Sequence, residues 1–233
     1  MERCDFLPVS AEEMHERGWW WYDALVVGGD AYVDHPSFGT AVISRVLEAE
    51  GLRVAVLAQP DWHDAEAFRA MGRPRLGVFI GAGNLDSMVA HYTAAKRRRS
   101  EDFYSPGKRT GCRPDRAAIV YCNRAREAFG PDMPIILGSL EASLRRFAHY
   151  DYWDDAVRRA ILFDAPADLL VYGMGEAATI EIARRLKKKQ SVRTMTDIPG
   201  TGYITRDPSV CKFDHITLPS FEDVRDDKRL YAE

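Results

Sequence analysis

At 233 residues, with 46% apolar and 29% charged side chains, the chain has the make-up of an ordinary globular protein and the length for one sizeable domain or two small ones. Its net charge of −3 supplies no overall field toward nucleic acid or an acidic membrane surface. No apolar run nears the roughly 18 residues of a membrane span, and the polar start Met1-Glu2-Arg3-Cys4-Asp5 lacks a signal peptide's apolar stretch, so a soluble, cytoplasmic protein with no membrane contact is expected.

Ser10 followed by Glu13 has the form of a capping box and predicts a short helix ending near Gly18. Trp19 to Trp21 follow as an apolar lid or anchor. Residues 23–30 are a buried-strand run closing in Gly28 and Gly29, and 39–51 carry apolar residues at helical spacing with Gly51 as the stop. Residues 53–58 are the second strand, 61–72 the second helix and 76–81 the third strand, after which Asn84 caps a helix toward Tyr92. Further on, 117–129 read as a helix, 133–138 as the fourth strand, 141–150 and 153–163 as two helices, 168–173 as the fifth strand and 176–189 as a long helix.

Continuous apolar strands alternating with amphipathic helices imply a parallel sheet covered on both faces. The expected fold is therefore α/β: a three-layer, doubly wound, five-stranded and mainly parallel sheet over residues 1–190, with a partly irregular extension over 191–233. Within that extension 200–205 offer an edge strand or small hairpin, and Ser220 with Asp223 marks a helix start. The pattern stops there without a cap, which predicts that the natural polypeptide continues. Residues 93–115 break the rhythm: Lys96, Arg97, Arg98, Arg99, Lys108, Arg109 and Arg113 against Glu101, Asp102 and Asp115 make seven minus three, a local +4, on what reads as a long functional or mobile loop.

In an open parallel sheet, ligands bind outside the carboxyl ends of the strands, near the switch in strand order. Those ends supply the candidate crevice residues: Gly28, Gly29, Asp30, Asp34 and His35 after the first strand, Asp61 after the second, Gly81 and Asn84 after the third, Gly138 and Glu141 after the fourth, and Gly173, Gly175 and Glu176 after the fifth. Glycine admits a close-lying ligand, and helix N-termini offer free amides. No Walker A or GxGxxG sequence is present, which speaks against ATP and dinucleotides. Cys4, Cys112, Cys122 and Cys211 form no CxxC or CxxxC pair, so no local zinc or iron–sulfur motif exists and no metal site is assigned.

Blander readings account for most other chemistry-bearing residues. In the run from His149 through Asp151 and Trp153 to Asp155, the aromatics are expected to pack a helix–helix corner while the acids cap and pair with Arg145, Arg146, Arg158 and Arg159. The Lys96–Arg99 and Lys187–Lys189 clusters read as solvated helix ends, with RNA binding by the 93–116 segment as the alternative for the former. Ser139 and Ser143 lack a His and an acid at readable spacing, so no hydrolase triad is assigned.

Several stretches resemble the YgiQ family of radical S-adenosylmethionine (SAM) proteins. They include Leu7-Pro8 with Glu12-Glu13-Met14, the run from Gly29 to Gly39, Gln59-Pro60-Asp61-Trp62, the run from Ala82 to Met88, and Arg113-Pro114-Asp115-Arg116. Glu141 to Arg146, His149 to Trp153, Val157-Arg158-Arg159, Gly175-Glu176 and Leu218 to Glu222 complete the set in the family's order. The resemblance implies a cobalamin-binding-like, flavodoxin-type N-terminal domain ahead of a radical SAM barrel, with SAM and a [4Fe-4S] cluster in the full-length protein. It implies a non-catalytic accessory domain here, whose partners are that barrel and an unidentified substrate, because the family's CxxxCxxC triplet is not in this chain. Cobalamin-binding domains carry a ligand histidine in Asp-x-His-x-x-Gly. Here Asp34 adjoins His35 and Gly39 lies four residues on, so histidine–cobalt ligation is not expected, while a cobalamin module without a protein ligand stays as the alternative.

Overall fold

The computed structural model describes residues 6–232, so Cys4 and the polar start lie outside the described residues. Strands β1 (Ala24–Gly28), β2 (Val54–Ala58), β3 (Gly77–Gly81), β4 (Ile135–Leu137) and β7 (Leu169–Val171) form a parallel sheet in the order β2-β1-β3-β4-β7. A sixth strand, β8 (Thr201–Gly202), pairs antiparallel with β7. The sheet thus has one strand more than the five expected, supplied by the stretch that had offered an edge strand. The chain winds outward from β1 to β2 and then returns to β3, which puts the switch in direction between β1 and β3.

Alternation along each strand builds two cores. Leu25, Val27, Val78, Ile80, Ile135, Leu137 and Leu170 face α3 (Glu66–Arg69) and α5 (Ala117–Phe129), with Phe68 and Tyr121 between them. Val26, Val56, Phe79, Ile136, Leu169 and Val171 face the other way, toward α2 (Gly39–Ala49) and α7 (Glu176–Lys187). Both faces are covered, which is why the strands read as unbroken apolar runs. Val192, Met195 and Ile198, past α7, join the second core.

Near the N-terminus, α1 (Ala11–Glu16) is capped by Ser10 accepting from the Glu13 amide at 3.2 Å, while Glu13 reaches back one residue further than a standard box, to the Val9 amide at 2.8 Å. The following tryptophans precede β1 and so sit at the opposite edge of the sheet from the crevice. Trp19 packs against the first core and Trp21 lies between the guanidiniums of Arg53 at 3.8 Å and Arg75 at 3.5 Å, while Trp20 is exposed, and none of them is a lid on the crevice.

Four helices expected from periodicity are shorter or absent. The Asp61 carboxylate accepts from the His63 amide and Asp64 from the Glu66 amide, and these side-chain turns postpone α3 to Glu66. Asp86, not Asn84, caps α4 (Ser87–His91), accepting from Met88 and Val89 at 3.0 and 3.3 Å. After α6 (Ser139–Leu144), residues 149–158 are an antiparallel hairpin of β5 (His149–Asp151) and β6 (Ala156–Arg158), where helix was expected. Asp151 folds the turn by accepting from the Trp153 and Asp154 amides, and Asp155 takes φ +51° to close it. The last helices, α8 (Phe221–Asp226) and α9 (Lys228–Ala232), pack near this hairpin: Ser220 and Asp223 form a capping box, and the Tyr231 hydroxyl accepts from the Tyr150 amide at 2.8 Å.

Candidate functional site

Above the carboxyl ends of β1, β3, β4 and β7, on the α2/α7 face, lies a cavity of about 290 Å³. Its floor is apolar, made of Val26, Phe79, Ile136 and Val171, and Ile43 walls it from α2. Thr40, Ser139, Glu176 and Thr179 are its polar groups, and the candidate glycines Gly81, Gly138, Gly173 and Gly175 line its mouth. Glu176, in the first turn of α7, is one of the strand-end candidates that line this cavity. Sequence reasoning missed the helix side of the wall. Its signal was there, in Thr40 with Ile43 three residues on and Gly175 with Thr179 four residues on, both spacings that share a helix face.

Four of the other candidates build the rim without lining the cavity. Asp30 is buried and pairs with Arg113 at 2.8 Å, while its second oxygen accepts from the Asn84 amide at 2.7 Å. Arg113, whose side chain is 0% exposed, also forks onto Asp102 at 2.9 Å. Burial raises the Asp30 carboxyl above its ordinary range and the Arg113 guanidinium offsets part of that. The ion triad fastens the 93–115 segment to the sheet edge, and Gln59 extends it by bonding both Ser105 and the Gly29 carbonyl. Gly29 lies so close to the Ala82 carbonyl that a Cβ would collide with it, and a Cβ on Gly28 would come within 2.7 Å of the Thr40 hydroxyl. These two glycines permit close packing of the β1 end.

Asp34, His35 and Asn84 shape the loop before α2. Asp34 is committed to Arg45, accepting from its Nε at 3.0 Å. Asn84 spans the crevice rim, accepting from the Gly39 amide at 3.2 Å and donating to the Ser37 carbonyl at 2.9 Å. His35 is exposed and its Nδ1 accepts from the Ser37 amide at 3.2 Å. Among the described residues no carboxylate holds this Nδ1, whereas a ligand histidine commonly donates from Nδ1 to a carboxylate. Asp61 lies apart from the cavity, exposed and bonded to His63 at 2.6 Å.

Glu141 is buried behind α6, where its two oxygens accept from the Ser87 amide at 2.9 Å and the Ala118 amide at 3.0 Å. Burial raises its carboxyl, with Asp86 adding to the effect. It joins the starts of α4 and α5 and does not reach the crevice. Ser139 takes φ +74° as the chain leaves β4, and its hydroxyl accepts from the Ala82 amide at 3.1 Å. The Ser143 hydroxyl donates to the Ser139 carbonyl and accepts from the Gly173 amide, so both serines serve the backbone.

Among the described residues, Cys112, Cys122 and Cys211 are free thiols. Cys122 is fully buried, with its thiol pushed well above the ordinary range by burial, and no cluster of three or more His, Cys, Asp or Glu suited to a metal is found among the described residues. The basic 93–115 segment spends several of its cations internally: Arg113 in the triad, Arg99 on the Val89 and Tyr92 carbonyls, Lys96 on the Trp153 carbonyl and Lys108 on Glu101. No helix among the described residues is long and apolar enough to cross a membrane.

Beside the cavity mouth stands an apolar stripe. Leu140 and Leu144 share one face of α6, Phe147 follows, and the Ser143–Gly173 bond sets Met174 next to them. Leu144 is 59% exposed, Phe147 53% and Met174 86%.

A family model described as "Radical SAM N-terminal" matches residues 6–233. A UPF0313 protein of Clostridium botulinum strain 657 is 54% identical over all 233 residues, and one of Clostridium perfringens strain SM101 is 52% identical; the matches cover 36% and 35% of those relatives. The chain thus spans little more than a third of the curated relatives it matches. Among solved structures, the radical SAM methyltransferase TsrM of Kitasatospora setae aligns at a TM-score of 0.51 with tryptophan and a SAM analogue bound, and 0.50 with cobalamin and a [4Fe-4S] cluster bound. Identity is 20%, with 78% of this chain covered and 28% and 27% of TsrM, a likeness of fold alone.

Proposed function

The chain belongs to the radical SAM N-terminal family, and from that premise we propose that it is the accessory domain of a longer radical SAM protein, docking on the rest of the polypeptide through the carboxyl edge of its sheet. The exposed stripe of Leu140, Leu144, Phe147 and Met174 carries this reading. Contiguous apolar groups left in water beside a cavity mark a surface meant to be covered. The family implies SAM and a [4Fe-4S] cluster for the full-length protein, but the scattered cysteines do not fit cluster ligation, so no catalytic step is assigned to this chain. A photo-crosslinking residue placed at Leu144 in the intact protein tests the docking. Crosslinks to positions beyond 233 are expected; crosslinks confined to residues 1–233 would sink it.

The apolar cavity favours a second reading, a cofactor module. Cobalamin, bound in TsrM, carries a flat apolar benzimidazole that suits a floor of Val26, Phe79, Ile136 and Val171. Cobalt ligation by His35 is not part of this reading, because Asp34 is committed to Arg45 and His35 Nδ1 accepts from the Ser37 amide. Titration with hydroxocobalamin should then saturate equally in wild type and His35→Ala and be lost in Ile43→Trp, which fills the cavity. An absence of saturable binding to the wild-type protein removes this reading and leaves the docking one standing.

A further inference from the structure

Under the β5–β6 hairpin is a second, far smaller cavity of about 10 Å³, whose walls include Arg116 at the start of α5 and His149 of β5. Arg116 Nε and His149 Nε2 are both buried and find no hydrogen-bond partner among the described residues. Such orphans are costly unless something pairs with them. We infer that a single buried water molecule sits here and bridges the two side chains.

The chemistry of the two atoms is complementary. His149 Nδ1 lies 3.1 Å from the Phe147 carbonyl, which can only accept, so the neutral ring carries its proton on Nδ1 and offers a lone pair at Nε2. Arg116 Nε can only donate. One water accepts from the guanidinium and donates to the imidazole.

Size and charge exclude the alternatives. A cavity of about 10 Å³ of this kind matches one water-sized sphere, which is too tight for phosphate or sulfate. The wall's cations are already paired, Arg116 and Arg158 with Asp151, Asp154 and Asp164 and Arg145 with Asp86, so no anion is called for. The bridge would tie the base of the hairpin to α5, reinforcing the direct Arg116–Asp151 pair at 3.0 Å. Because Tyr150 in turn holds Tyr231, the water stands at the joint between the sheet and the last helices.

High-resolution crystals of the intact protein, with a parallel bromide soak, test the site without any substitution. The expected result is one solvent peak within hydrogen-bonding distance of Arg116 Nε and His149 Nε2 and no anomalous bromide signal. A direct Arg116–His149 bond, no peak, or a bromide peak overturns it. Water-oxygen magnetic relaxation dispersion should count one fewer long-lived internal water in His149→Phe than in wild type, and an equal count in a folded variant also overturns it.

Discussion

Arg113 is the residue on which the crevice rim depends. Among the described residues its guanidinium is the sole ion-pair partner of both Asp30 and Asp102, and all three side chains are buried. Arg113→Met leaves two carboxylates without a counter-charge and should cost about 3–5 kcal/mol in urea unfolding, the usual penalty for breaking a buried pair from one side. Replacing Asp30 and Asp102 by Asn in the same background should recover part of that loss, and a triple variant as unstable as the single one would show that the triad is not a unit. His149 offers a second test. Burial holds its imidazole below the ordinary range, with Arg145 and Arg158 adding to the effect and the Phe147 carbonyl and Asp151 opposing it. A base whose folded pKa is depressed binds its proton more readily unfolded, so stability should fall as pH drops through about 6.5. Urea midpoints at pH 7.5 and 5.5 should converge in His149→Gln relative to wild type. Arg116, Glu141 and Asp164, the remaining charged neighbours, are unchanged in that comparison.

At the scale of elements, the hairpin is where physical expectation and structure part. Residues 153–163 have apolar spacing compatible with a helix, but the decisive contacts are side chain to backbone and long in sequence. Asp151 turns the chain locally and accepts from Arg116, 35 residues away. Neither bond is visible to periodicity. Asp151→Ala should therefore open the hairpin while sparing the sheet. Amides of 149–158 should exchange roughly tenfold to a hundredfold faster, equivalent to about 1–3 kcal/mol of lost hydrogen bonding, while β1 and β3 keep their protection. By contrast, β1, β2, β3, β4 and β7 were legible because strands buried on both faces are apolar throughout, α2 because its spacing and the Gly51 stop agree, and α5 by its spacing. The candidate site was half legible for the same reason. Strand ends with glycine announce a crevice, so Gly81, Gly138, Gly173, Gly175 and Glu176 emerged from sequence. Asp30, Asn84 and Glu141 looked identical at that level. Only the packing tells that their oxygens and amides are spent on Arg113, the α2 loop and the helix starts.

Over the whole molecule the question is what the carboxyl edge is for, and Ile43 can separate the answers. Ile43 sits on α2 above the apolar floor, so Ile43→Trp adds ring atoms to space the protein's own side chains leave open. Overpacking a filled core destabilises by about 1–3 kcal/mol. Filling real space against Val26, Phe79 and Val171 should do the opposite, raising Tm by about 2–4 °C for each 1 kcal/mol gained in a chain of this size. A lowered Tm would mean that the space closes when the protein is free in solution and is no standing ligand site. The same variant then reads function. Hydroxocobalamin at a hundred times its Kd should stabilise the wild type by about 2.7 kcal/mol, and the tryptophan should abolish that shift. Docking through Leu144 and Phe147 uses the outer face of α6 and not the cavity floor, so crosslinks from position 144 to the rest of the intact protein should persist in Ile43→Trp. Loss of both together would mean that ligand and docking share one surface, with the bound group helping to hold the two parts of the protein against each other.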